Sequence, residues 1–141
     1  MFSSLCLNSA SVAAEGFLMK AQLLISVVDD DQSVRESLPD LLHELGFAAR
    51  TFSSAEEFLG SDAAAHSSCL ILDVAMPAMS GPELLRELRR RNLKSPVLFI
   101  TAHRDEAERS RMIQDGASEC LFKPFSDTDL SEALNKALSG K

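Results

Sequence analysis

The sequence predicts an α/β fold in three layers, a parallel five-stranded sheet with helices on both faces. Three observations predict it. The apolar runs at residues 23–28, 69–72 and 97–100 are near-continuous, as in strands buried on both sides. Stretches with helical spacing of apolar residues lie between the runs. Polar residues gather where the runs stop, at Asp29-Asp30-Asp31, Asp73, Thr101 and Lys123.

The elements follow in order. Residues 23–28 form a first strand interrupted only by Ser26. In residues 32–45, Val34, Leu38, Leu41, Leu42 and Leu45 make a helical stripe, with Asp31 as N-cap and Gly46 as stop. Pro39 removes one backbone donor inside that helix and should kink it or loosen its first half. Residues 47–52 read as a less apolar second strand, since Arg50 suits a sheet edge. Ser53 or Ser54 caps a short helix with Ala55, Phe58 and Leu59 inward, and residues 60–68 read as a polar loop. The third strand ends in Asp73, and a loop with Pro77 leads to a helix capped by Ser80, with Pro82 in its first turn. Leu84, Leu85 and Leu88 form that helix's apolar stripe. The fourth strand runs over 97–100 into Thr101. Residues 105–115 form the most polar helix, with Ala107, Met112 and Ile113 as its apolar residues, so low local stability is expected there. The fifth strand, 119–122, leads to Lys123-Pro124, and Ser126 or Asp127 caps a last helix striped by Leu130, Ala133, Leu134, Ala137 and Leu138.

Five strands alternating with five helices suit the flavodoxin-like (βα)5 arrangement with strand order 2-1-3-4-5, which places strands one, three and four centrally. Ligands in such sheets bind beyond the carboxyl ends of the strands. Asp29, Asp30, Asp73, Thr101 and Lys123 all fall at those ends, on four different strands.

The 141 residues suffice for one domain, with residues 21–141 holding it. A net charge of −7 argues against direct nucleic-acid binding. The run Arg89-Arg90-Arg91 reads as a solvated helix end. No run approaches the ~18 apolar residues of a membrane span. Cys6, Cys69 and Cys120 show no metal-ligand spacing and read as reduced thiols of a cytoplasmic protein. His43, His66 and His103 read as surface residues. Residues 1–18 lack Lys and Arg, so they do not resemble a secretory signal. Residues 1–20 are expected to be a disordered extension, and Met19 is a candidate true start.

The acidic residues carry the chemistry. At about 4 Å and an effective dielectric near 20, two ionised carboxylates repel by roughly 4 kcal/mol. A cluster persists when something positive sits in it, and Mg2+ is the natural hard cation for oxygen ligands. Each residue has a plainer role alone. Asp29 or Asp30 could cap a helix, Asp73 could open a turn, Thr101 could cap a loop, and Lys123 could be a solvated side chain. Asp31 reads as a helix cap rather than a metal ligand.

Four strings shift that balance. They are Val27-Val28-Asp29-Asp30-Asp31, Leu72-Asp73 continuing through Met76-Pro77 to Ser80-Gly81, Ile100-Thr101-Ala102 and Phe122-Lys123-Pro124-Phe125. Asp30, Asp73, Thr101 and Lys123 are separated by 43, 28 and 22 residues. In order and spacing the chain resembles a response regulator receiver domain. The resemblance implies that Asp73 accepts a phosphoryl group. It implies Mg2+ held by Asp30, Asp73 and the Ala75 backbone carbonyl, with Asp29 acting through water. It assigns Lys123 and Thr101 to phosphoryl oxygens. The implied donor is a sensor histidine kinase or phosphotransfer protein, and the implied output is contact with an unknown downstream protein. A homodimer through residues 105–115, 119–122 and the last helix is also implied.

One position departs from the family. The residue three before the lysine is usually Tyr or Phe and moves when the threonine shifts, and here it is Cys120. Phosphorylation chemistry should survive, while the usual aromatic readout has no ring at this position. No DNA-binding helix-turn-helix follows the last helix, so a stand-alone regulator or phosphate sink is expected, self-phosphorylating but not otherwise an enzyme. The alternatives are a receiver-like interaction module without a phosphorylation switch and an aspartate-nucleophile phosphatase. A phosphatase usually has a second aspartate two residues after the nucleophile, where this chain has Ala75.

Overall fold

The computed structural model describes residues 23–139, so the expected extension over residues 1–20 and the Met19 start lie outside the described residues. One sheet contains β1 (Leu24–Val28), β2 (Ala48–Phe52), β3 (Cys69–Asp73), β4 (Val97–Thr101) and β5 (Glu119–Phe122). Every pairing is parallel and the order is β2-β1-β3-β4-β5, as expected from the sequence. The helices among the described residues are α1 (Gln32–Glu44), α2 (Ala55–Leu59), α3 (Ala63–His66), α4 (Gly81–Arg90), α5 (Glu106–Gln114) and α6 (Asp127–Ser139).

The two faces of the sheet have separate apolar cores. Ile25, Val27, Ile71, Leu98 and Ile100 pack with Leu38 and Leu42 of α1 and Leu130 and Leu134 of α6. Leu70, Leu72, Val97, Phe99 and Cys120 pack with Phe58 of α2, Leu84 and Leu88 of α4 and Met112 of α5. This division follows from the alternation of side chains along each strand. β3 and β4 are buried at every residue, whereas β2 buries only Phe52.

Local signals fix the helix ends. The Asp31 carboxylate accepts from Ser33 N and the Ser33 hydroxyl, so Asp31 is the cap expected for α1. Gly46 follows α1 at φ 96°, the left-handed conformation that glycine adopts without a Cβ penalty. α1 runs through Pro39 as a single helix. Ser80 and Glu83 form a reciprocal capping box at α4, and Ser126 and Asp129 exchange the same pair of hydrogen bonds at α6. α5 buries only Met112; Ala107 is exposed.

The expected loop over residues 60–68 is corrected by α3, a single turn. Ala63 is fully buried, Ser61 Oγ accepts from Ala63 N, and Ser67 Oγ donates to the Ala63 carbonyl at 2.6 Å. Serine hydroxyls at both ends and a buried alanine hold a turn too short to announce itself by periodicity. The Ser67 hydroxyl also lies 2.6 Å from that of Ser26, which satisfies the polar break in β1.

Candidate functional site

The carboxyl ends of the strands form one rim, and the five singled-out side chains stand along it. Asp29 and Asp30 follow β1, Asp73 ends β3, Thr101 ends β4 and Lys123 follows β5. Asp29, Asp30 and Asp73 each bring a carboxylate oxygen within 4.8 Å of the others. Asp29 is fully buried, Asp73 is 6% exposed and Asp30 is open to solvent. Lys123 Nζ donates to Asp29 Oδ2 at 2.9 Å and sits 3.5 Å from Asp73 Oδ1. The other Asp29 oxygen accepts from Asp31 N at 2.9 Å. The Lys123–Pro124 peptide bond is cis.

Thr101 is buried, and its Oγ1 accepts from His103 N at 3.0 Å, tying the hydroxyl to the loop that follows. Thr101 also accepts from Lys123 N through its carbonyl at 2.7 Å. Ala75 lies two residues past Asp73 with its side chain exposed, and Ala102 is exposed beside Thr101. Asp31 caps α1 and is the member of the acidic triplet left out of the cluster.

The electrostatics follow from this packing. Burial and then the charge of Asp29 raise the Asp73 carboxyl from 3.8 to about 7, against the opposing pull of Lys123. Burial works against the charge of Lys123, but its hydrogen bond to Asp29 and the charges of Asp73 and Asp29 more than offset this and hold it above its usual value. Three carboxylates with one ammonium are under-neutralised. Their hard oxygen donors fit a small divalent cation, which would sit among Asp29, Asp30 and Asp73.

The raised Asp73 value has a consequence for stability. Asp73 binds a proton more tightly in the fold than in the unfolded chain, whose carboxyl titrates near 3.8. Metal-free stability is therefore expected to fall as pH rises from about 4 to about 7, with no further contribution above that range. Asp73→Asn should flatten this part of the profile, which thermal unfolding in chelator across the range would measure.

Two further residues support the site. Arg35, on the first half of α1, donates to the Asp29 carbonyl at 2.9 Å and ties the acidic turn to the helix. Gly81 begins α4 beneath Asp73. A Cβ there would collide with the Asp73 carbonyl oxygen and lie 3.0 Å from Phe99 Cε1. Gly81→Ala is thus expected to destabilise the fold by about 2 kcal/mol, and to lower Mg2+ affinity by displacing Asp73. Denaturant titration and calorimetric Mg2+ titration would read the two effects. Nothing in the sequence signalled either contact.

Comparison with known proteins agrees with the geometry. The family model for the response regulator receiver domain matches residues 25–135. The transcriptional regulatory protein TdiR of Thauera aromatica is 39% identical over 115 residues, covering 82% of this chain and 51% of TdiR. FixJ of Azorhizobium caulinodans is 38% identical over 120 residues, covering 85% and 57%. The chain thus spans about half the length of the curated relatives it matches. The crystal structure of FixJ-N superposes with a TM-score of 0.75 at 36% identity, covering 85% of this chain and 96% of that one. The response regulator TrrA of Thermotoga maritima, in complex with Mg(2+)-BeF, superposes with a TM-score of 0.73 at 32% identity, covering 83% and 100%. Sheet order, acidic rim and matched sequence agree over the same stretch, and the chain belongs to the response regulator receiver domain family.

Proposed function

We propose that Asp73 accepts a phosphoryl group from a sensor histidine kinase or phosphotransfer protein and passes the signal on through protein contacts. The single observation that carries this reading is the convergence of Asp29, Asp30 and Asp73 within 4.8 Å of one another, with Lys123 in contact with two of them.

An Asp73 carboxylate oxygen attacks phosphorus. The new O–P bond forms as the bond from phosphorus to the donor nitrogen breaks, and the electron pair stays on that nitrogen. Lys123, already between Asp29 and Asp73, presents its ammonium to the phosphoryl oxygens as a point charge. The Thr101 hydroxyl, which accepts from His103 N, keeps its proton free to donate to one of those oxygens. Asp30, Asp73 and the Ala75 carbonyl would hold Mg2+, and Asp29 would act on it through water. Bound there, Mg2+ supplies the positive charge that screens a carboxylate from an approaching anion. Water later attacks phosphorus and breaks the O–P bond to Asp73, releasing phosphate.

A cation among these carboxylates competes with the proton that Asp73 takes up near pH 7. Mg2+ should therefore raise the melting temperature more at pH 8 than at pH 5. An equal shift at both values would count against Asp73 as a ligand.

A groove of about 690 Å³ runs beside Lys123, walled by Leu38, Leu41, Pro124 and Phe125, and it suits the phosphodonor protein. The face formed by α5, β5 and α6 is the proposed surface for a downstream partner or a second copy. A cytoplasmic site of action suits phosphoryl transfer from a histidine kinase, and no helix among the described residues is long and apolar enough to cross a membrane.

The lengths favour a second reading. The domain would be the receiver half of a longer transcriptional regulator, as TdiR and FixJ are named regulators about twice the matched length. An immunoblot of native cells separates the two. A band at the mass of 141 residues supports a stand-alone regulator, and one near twice that mass supports the longer form.

A further inference from the structure

We propose that a stacked pair, Arg104 on Phe122, reports phosphorylation in this chain, in place of a moving aromatic ring at residue 120. The inference rests on the proposed contact between Thr101 and a phosphoryl oxygen on Asp73.

Position 120 is a poor mover. Cys120 is 1% exposed and packed in the apolar core, and it has no ring to swing. Burial raises its thiol to about 11, so it stays protonated and carries no charge to respond. The next side chain on that face is Phe122, since residues two apart in a strand point the same way. Phe122 pairs in register with Thr101, and its ring lies under the Arg104 guanidinium, whose carbon is 5.2 Å from the ring centroid. Arg104 itself is exposed and lies three residues beyond Thr101.

Thr101 and Arg104 are mechanically linked. His103 N donates to Thr101 Oγ1 at 3.0 Å, which fixes the loop to the hydroxyl. A threonine hydroxyl donates one hydrogen bond and accepts others, so it can donate to a phosphoryl oxygen while His103 N remains bound. When the hydroxyl turns toward Asp73, His103 is drawn with it, and Arg104 follows off the ring. Phe122 then opens onto a groove of about 350 Å³ that Arg109 and Phe125 also border. The uncovered ring is the signal.

The chain has no Trp, so Phe122→Trp gives a single-site emission probe. Activation with Mg2+ and beryllofluoride should shift that emission to longer wavelength as the indole loses its cover. The Phe122→Trp, Arg104→Gln double variant should emit at the longer wavelength from the start and shift no further. In the wild-type protein, the Arg104 Nε–H resonance should move on activation, which does not depend on tolerating the tryptophan. Intact mass after treatment with a small phosphodonor is read in parallel. Phosphorylated protein with unmoved emission and an unmoved Arg104 resonance would overturn the relay while leaving Asp73 as acceptor. An equal shift with and without Arg104 would also overturn it. Absence of phosphorylation would instead overturn the reading on which it rests.

Discussion

Asp73→Asn is expected to lose phosphoryl acceptance by ~1,000-fold or more, about 4 kcal/mol in barrier terms. The amide keeps the shape of the side chain and its place at the end of β3, but it is no nucleophile. The same change should stabilise the metal-free protein above pH 7 by on the order of 1 kcal/mol, part of one carboxylate pair's repulsion. Burial and the neighbouring Asp29 charge both disfavour an ionised Asp73, and asparagine removes that conflict. Radiolabel incorporation from a small phosphodonor and thermal unfolding would read the two effects together. A variant that is both dead and more stable is the pattern of a functional group held at a structural cost. A variant that is dead because it is unfolded would not show it.

Lys123→Ala is expected to harm both stability and chemistry. Lys123 is the ammonium in contact with the fully buried Asp29 carboxylate, at 2.9 Å, and with Asp73 at 3.5 Å. Removing one partner of a buried pair leaves an uncompensated charge, a loss of about 3–5 kcal/mol for full burial. Lys123 is 20% exposed, so solvent screens part of this and about 2 kcal/mol is expected. The Asp73 carboxyl should rise further, because the group that lowers it is gone. Mg2+ should recover more stability in Lys123→Ala than in the wild type, since the cation replaces missing positive charge. Lys123→Arg should not restore phosphorylation, because a planar fork does not fit where a compact ammonium sits. Urea titrations with and without Mg2+ would measure the difference, and equal recovery in both proteins would contradict the electrostatic account.

Much of this was legible in the chain because buried parallel strands are loud. Cys69–Asp73 and Val97–Thr101 are buried at every residue, and a near-continuous apolar run is how such strands read. The site was legible for a related reason. A carboxylate or lysine immediately after such a run must lie at the rim, and topology collects the rims of parallel strands. Contacts that only the folded chain brings together were not legible. Ser26 showed as a polar break, but its partner Ser67, 41 residues on, could not be named from pattern. Gly81 stands in the sequence as one residue of the loop ahead of a helix, whereas the structure needs a glycine there because the Asp73 carbonyl passes close by. Nothing in the apolar pattern of residues 32–45 singles out Arg35, and only the fold brings it to the Asp29 carbonyl. α3 was missed because one turn is too short for a helical period, and its hydroxyl anchors, like the Ser67 bond to Ala63, are tertiary details.

The proposed chemistry stands on the acidic hollow, which would hold a divalent ion that lets Asp73 take up phosphorus. The most direct test is to treat the wild-type protein with a small phosphodonor in Mg2+ or in chelator, and to locate the added phosphoryl group by peptide mass spectrometry. One phosphoryl group, on Asp73, is expected in Mg2+ and none in chelator. Equal incorporation in both conditions, or a group carried on any residue other than Asp73, would contradict it.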